Sequence, residues 1–270
     1  MRTKCLGLCL ALGLPAWAGC ARSLEGPYMD PQLQDRGVVI ILPGIEGESA
    51  FNTRLREGLA EAGVPYALPI WPWGSQIPIV RLAMNEMDVQ GNIVAGMRLA
   101  MWIASYQNQH PGCPVYLVGH SGGGGIAVFA AEALAHLPGR RTITGMVLLS
   151  PSVTASRDLT EALSACELGI ACFYNESDVG LLWLGTTLMG NVDGGRGSSA
   201  GRTGFRPPAP GDGDAKKAAY RKVFQVDTTT GLMNILGAHM ADTRSAFVRK
   251  YVAPWVQSDS WPPAKDVATR

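Results

Sequence analysis

The hydrophobic positions of the chain fall into short unbroken runs separated by longer stretches of helical period. Val38-Val39-Ile40-Ile41-Leu42 is continuous and largely β-branched, the pattern of a strand covered on both faces, and it ends at Pro43-Gly44. Runs at 115–118, 144–149, 168–174 and 223–226 read the same way, and 66–70 is a candidate further strand. Between them, 52–62 closes on Gly63, and 88–109 carries Ile93, Met97, Ala100, Met101 and Ala104 at helical spacing before Pro111-Gly112 stops it. Helices are also predicted at 126–134 and 244–252. Strand and helix therefore alternate, which predicts an α/β fold with a mostly parallel central sheet and helices on both faces. Ligands of such sheets bind beyond the carboxyl ends of the strands.

The ends of the chain depart from this pattern. Arg2 and Lys4 precede an apolar run from Cys5 to Leu14 that is too short for a permanent bilayer span, so residues 1–19 are expected to be an export signal. Ala16-Trp17-Ala18 fits an ordinary signal-peptidase site, whereas Ala18-Gly19-Cys20 resembles the end of a bacterial lipobox. The second resemblance implies lipidation at Cys20 and a membrane anchor in the cell envelope; the first implies a periplasmic or secreted protein. Residues 20–36 are polar and proline-punctuated, as in a tether, and the folded domain is expected from 37 to 256 with a tail from 257 to 270. Within the domain, 190–214 is too rich in glycine and proline for an element interior and is expected to be a long loop: a lid, a binding loop or disorder.

Composition narrows the function classes. With 270 residues, 47% of them hydrophobic and 17% charged, the chain can bury one substantial core. A formal net charge of +1, without a basic stripe, argues against nucleic acid as a partner. Apart from Cys5, Cys9 and Cys20, three cysteines remain. Cys166 and Cys172 could bridge only if the chain turned between them, and a strand at 168–174 would hold them apart; buried thiols are the other reading. No metal-ligand spacing occurs, and no cofactor is expected.

The chemistry gathers at Gly119-His120-Ser121-Gly122-Gly123, a Gly-x-Ser-x-Gly pattern set between a strand and a helix. So sharp a reversal forces its central residue into a strained backbone and leaves the hydroxyl at the tip, which makes Ser121 the candidate nucleophile. A serine needs a base, and the base needs an acid to hold its tautomer. The chain has four histidines. His120 is adjacent to the serine and should point away from it. His110 and His136 sit at or near helix ends as solvated residues. His239, beyond the later strands, is left as the base. Asp178, just past the 168–174 strand, is the candidate acid, with Glu176 as its near alternative; Asp227 crowds the histidine's own loop, and Asp242 follows the histidine. The Gly122 amide and a donor from Pro43-Gly44-Ile45-Glu46-Gly47, Ile45 or next to it Glu46, are the candidate oxyanion hole.

Together these residues resemble the α/β-hydrolase family, whose nucleophile, acid and histidine follow the chain order Ser121, Asp178, His239. The segments 42–49, 174–180 and 185–194 are further similar to uncharacterised planctomycete-type bacterial α/β-hydrolases. Family members often carry a His-Gly pair before the oxyanion loop, where this chain has Pro43-Gly44. The resemblance implies the α/β-hydrolase fold and hydrolysis of a small-molecule or lipid ester through an acyl-enzyme. A non-catalytic binding module on the same fold and an acyltransferase are the alternatives.

Overall fold

The computed structural model describes residues 26–74, 85, 87–177, 191–229 and 242–264. Five parallel strands form one sheet in the order β1 (Val38–Leu42), β2 (Val115–His120), β3 (Ile143–Leu149), β4 (Cys166–Tyr174) and β5 (Val223–Asp227). The expected second strand appears as a thinner edge. Val39 and Ile41 donate their amides to the carbonyls of Ala67 and Pro69, and isolated parallel bridges join Val38 to Ala67 and Ile41 to Ile70. Proline is tolerated there because an edge strand needs no second row of donors.

The alternation of side chains along these strands feeds two cores. Val38, Ile40, Leu42, Leu117, Met146, Leu148 and Ile170 point to one face. They meet α3 (Val89–Gln109), α4 (Gly122–His136) and α5 (Thr160–Ser164), after α1 (Pro31–Gln34) and α2 (Ala50–Glu61) in chain order. Val39, Ile41, Val118, Val147, Ala171 and Phe173 point to the other face, where α2 supplies Leu55 and Leu59. The pattern of continuous aliphatic runs is thus explained by a sheet with no solvated face.

Strand registers bring the carboxyl ends to one edge. Leu42 lies opposite Gly119, His120 opposite Leu149, Leu149 opposite Phe173, and Tyr174 opposite Asp227. The loops that follow, at 43–47, 121, 150–155, 175–177 and 228–229, therefore share one rim.

Three expected boundaries shift. The tether expected up to residue 36 packs onto the domain from Tyr28: Leu68 donates to the Tyr28 carbonyl, Arg56 lies over the Tyr28 ring, and the Tyr106 hydroxyl donates to the Gln34 carbonyl at 2.6 Å. The C-terminal tail packs as well. Trp261 meets Trp255 and Phe224 edge-on, and its indole N–H donates to the Trp255 carbonyl. The helix predicted at 244–252 is α8 (Ser245–Phe247), a π turn (Val248–Val252) and α9 (Ala253–Gln257), numbered after α6 (Ala200–Thr203) and α7 (Asp214–Tyr220).

The glycine-rich segment is laid against the rim from 191 to 206, and is mostly exposed from 207 to 213. Asn191 is fully buried and its amide donates to the carbonyls of Gly195 and Gly197. Ala155 and Ala200 exchange backbone bonds with Ser198 and Val153 across the Thr154–Ser199 bridge. Asp193 accepts from Thr154 and pairs with Arg157, which also forks onto Glu132. Gly201 answers the need for close backbone approach, where a Cβ would lie 2.4 Å from the Ser150 carbonyl carbon, and Gly195 and Gly204 pack tightly on the Thr154 and Gln225 side chains.

Cys113, Cys166 and Cys172 are free thiols, and β4 places the last two six residues apart on one extended strand, about 20 Å end to end. Burial pushes the Cys166 thiol up to about 12 and raises that of Cys172 as well. Iodoacetamide at pH 8 should accordingly leave both unmodified in the folded protein and label them only after urea; peptide mapping showing native-state alkylation of either would contradict the packing. A second expectation concerns Gly123, where an added Cβ would sit 2.2 Å from the Leu42 carbonyl oxygen and 2.3 Å from that of Pro43. Gly123→Ala must push backbone away from backbone, so its urea midpoint should fall by the equivalent of about 1–3 kcal/mol or more.

Candidate functional site

The turn after β2 is built by three residues. Ser121 has φ 51° and ψ −121°, outside the regions an L-residue ordinarily occupies. Its amide donates to the Leu149 carbonyl at 2.9 Å, and its carbonyl accepts from Gly124 at 3.0 Å and Ser152 at 2.9 Å. Strain of this kind costs on the order of 1–3 kcal/mol and persists only where the surroundings fix it, as these bonds to the β3 strand and its following loop do. Ser121 is 94% buried by surface, at 6% relative exposure, and stands at the N-terminus of the 15-residue helix α4. Such a terminus presents unbonded amides and the positive end of the helix dipole.

Gly122 is the first residue of α4, so its amide is one of those without an intrahelical acceptor. A Cβ on Gly122 would lie 2.7 Å from Ile45 Cγ2 and 3.2 Å from the Trp73 ring. The structure thus brings Ser121, Gly122 and Ile45 together at the ends of β1 and β2. Two side chains brace the loop that carries Ile45: Trp73 Nε1 donates to the Pro43 carbonyl at 2.7 Å, and Asn85 Nδ2 donates to the Ile45 carbonyl at 2.9 Å. Asn92 in α3 holds Asn85 in turn, donating to its carbonyl and to that of Val192. Glu46 turns away toward α2, where its carboxylate accepts from Ser49 and Asn52.

Asp178, His239 and Cys20 lie outside the described residues. The chain leading to Asp178 is fixed up to its neighbour: Ser177 donates its amide to Asn175 Oδ1, and Glu176 donates its amide to Thr229 Oγ1 while its side chain is exposed. Asp227 is exposed and accepts from the Thr229 amide.

The other histidines are accounted for by their contacts. His136 is solvated, 3.3 Å from Glu161. His110, expected as a solvated residue, is instead stacked on Tyr106 and bonded to Asp35 at 3.0 Å, which pins the N-terminal arm. His120 is buried with Nε2 3.7 Å from Asp242 Oδ1. Asp242 is itself 2% exposed and accepts from Ser150 Oγ at 2.9 Å. Nothing in the local pattern of Trp73, Asn85 or Ser150 marks a loop residue as a brace, and Asp242 enters the sequence reading only as a weaker candidate for the acid. Trp73 lies within a Trp-Pro-Trp-Gly stretch that reads equally well as an apolar pocket wall.

The sheet order, with helices on both faces and a strained serine between strand and helix, decides the architecture. The fold is that of the α/β-hydrolases. No protein-family model matches the chain. Human monoglyceride lipase is 48% identical over 54 residues, which amount to 20% of this chain and 16% of that protein. Among solved structures, a poly(3-hydroxybutyrate) depolymerase (LpqC) of Bordetella parapertussis is similar over 88% of this chain and 86% of its own, with a TM-score of 0.46 and 15% identity. Lipase B of Aspergillus fumigatus matches over 88% of this chain and 58% of its own, with a TM-score of 0.46 and 13% identity.

The brace on the 43–47 loop is open to measurement. Trp73→Phe keeps a ring in place but strands the buried Pro43 carbonyl, so stability should fall by about 1–3 kcal/mol in urea unfolding. An unchanged midpoint would mean that the bond holds nothing.

Proposed function

We propose that this chain is a serine hydrolase of carboxylic esters, exported and held at a membrane through lipid on Cys20. The observation that carries the reading is the left-handed backbone of Ser121, with the Gly122 amide and the Ile45 loop beside it. Protein backbones spend energy on such a conformation where a side chain must be presented at a fixed place.

In this reading Ser121 Oγ attacks the ester carbonyl carbon as His239 takes its proton. The carbonyl π electrons move onto oxygen, and the amides of Gly122 and Ile45 receive the oxyanion. Collapse expels the alkoxide, which takes the proton from His239 and leaves as the alcohol. Water, deprotonated by the same histidine, then releases the acyl group from Ser121. Asp178 orients the imidazole and stabilises its cation.

Chain position supports both distant assignments. Asp178 follows Ser177, which stands in the loop after β4. His239 precedes the buried Asp242 by three positions in the sequence. The proposed substrate is an ester because the stretch of 48% identity is shared with a monoglyceride lipase.

Turnover of a p-nitrophenyl ester series by the full chain tests the reading. Ser121→Ala should lower kcat by at least about a thousandfold, His239→Ala comparably, and Asp178→Asn by about a hundredfold or more, each with an unchanged melting curve. Retention of wild-type turnover by Ser121→Ala would remove the nucleophile. Absence of turnover in a folded wild-type chain would favour a binding module, and ester exchange with an added alcohol exceeding hydrolysis would favour acyl transfer.

A further inference from the structure

Asn92 breaks the pattern of its helix. The face that α3 turns to the core carries Gly96, Leu99 and Ile103, and Asn92 stands on that face one turn before Gly96, 2% exposed. An amide buried there is costly unless its donors are bonded. Both donors of Asn92 are: Nδ2 reaches the Asn85 carbonyl at 2.9 Å and the Val192 carbonyl at 3.2 Å.

Those two carbonyls belong to opposite halves of the proposed site. On one side, Asn85 is also 2% exposed, and its own Nδ2 donates to the Ile45 carbonyl at 2.9 Å. Gly74 leaves the room for that amide, since a Cβ there would lie 2.3 Å from Asn85 Oδ1. On the other side, the Val192 amide donates to the Ser152 carbonyl at 3.2 Å, and the Ser152 amide donates to the Ser121 carbonyl at 2.9 Å. Val192 is seated on the nucleophile helix as well: a Cβ on Gly125, one turn past Ser121, would lie 2.2 Å from Val192 Cγ2.

A hydrogen-bonded chain therefore runs from Ser121 through Ser152, Val192, Asn92 and Asn85 to Ile45. Its ends meet again where a Cβ on Gly122 would lie 2.7 Å from Ile45 Cγ2, so the chain closes into a ring around the site. The member seated inside a long helix is Asn92, within the 21 residues of α3. The loop residues on either side of it take their spacing from that rigid element.

We infer that Asn92 is a positioning residue: by holding Val192 and Asn85 with one amide group, it fixes the Ile45 amide relative to Ser121. This rests on the reading of Ser121 as nucleophile and of the Gly122 and Ile45 amides as oxyanion donors. Such a donor counts only where negative charge develops, so breaking the chain should lower kcat while KM holds. A misplacement of about 1 Å can cost about a hundredfold in rate.

The test compares a short-chain p-nitrophenyl ester with its thionoester, in which sulfur, a weak hydrogen-bond acceptor, replaces the carbonyl oxygen. The advantage of ester over thionoester in kcat thus reads the oxyanion donors, which a loss of stability alone would not move. Asn92→Ala and Asn85→Ala, in the full chain, should each lower kcat for the ester by about tenfold or more with KM within about threefold, and shrink the ester's advantage by about fivefold or more. Because the two amides act in series, the double variant should be within about threefold of the poorer single. Tyr106→Phe removes a bond to the Gln34 carbonyl from the far end of the same helix, and should lower the melting temperature while leaving kcat and the ester's advantage unchanged. Asn92→Ala and Asn85→Ala variants that melt earlier yet keep both wild-type readouts overturn the inference. A fall in kcat with the ester's advantage intact overturns it too, as do additive losses in the double variant or an equal loss in Tyr106→Phe. Where Asn92→Ala fails to fold, Asn85→Ala decides by the same two readouts. Failure of the underlying reading shows elsewhere, as wild-type turnover in Ser121→Ala.

Discussion

The left-handed turn at Ser121 is the constraint from which the rest of the rim follows. A strand that ends at His120 and a helix that begins at Gly122 leave a single residue for the reversal, and only an unfavourable backbone completes it. The cost is met by bonds to Leu149, Ser152 and Gly124 and by the absence of side chains where α4 meets β1. Without Gly123 the helix could not approach the carbonyls of Leu42 and Pro43. Without that approach, Gly122 and Ile45 would not meet.

The same economy explains the loops around the turn. Each chain segment that leaves the carboxyl edge of the sheet is tied to a neighbour: Pro43 to Trp73, Ile45 to Asn85, Asn175 and Glu176 to the threonines after β5, and Ser150 to Asp242. Side chains and backbone carbonyls serve in place of a second sheet. The segment from Asn191 to Phe205 closes one side of this rim through Val192, Ala200 and Phe205, which join the core beneath α4.

Much of this was legible in the sequence because burial on both faces writes itself as unbroken aliphatic runs. Val38–Leu42 and the runs that form β2, β3 and β4 are short, bounded by turn residues and enriched in β-branched or aromatic side chains, which separates them from buried helix, and the Gly-x-Ser-x-Gly stretch falls between a strand and a helix as its pattern predicts. What the sequence concealed was pairing at a distance. Tyr28 and Trp261 look like parts of polar ends, yet each packs against residues far along the chain, which no local period encodes. Asp242 is a weaker candidate for the acid in the sequence because it follows the histidine, and its bond to Ser150, 92 positions earlier, is written in no local pattern. Glycine is ambiguous in the same way, since it serves both disorder and close packing; Gly195, Gly201 and Gly204 use it for the second, whereas Gly211 and Gly213 face open space.

The central claim is that the strained residue is a nucleophile, and covalent capture tests it most directly. Full-length protein treated with an alkyl fluorophosphonate should gain the mass of one phosphonyl group, and peptide mapping should place it on Ser121. No adduct on folded protein, or one on another residue, would contradict the account.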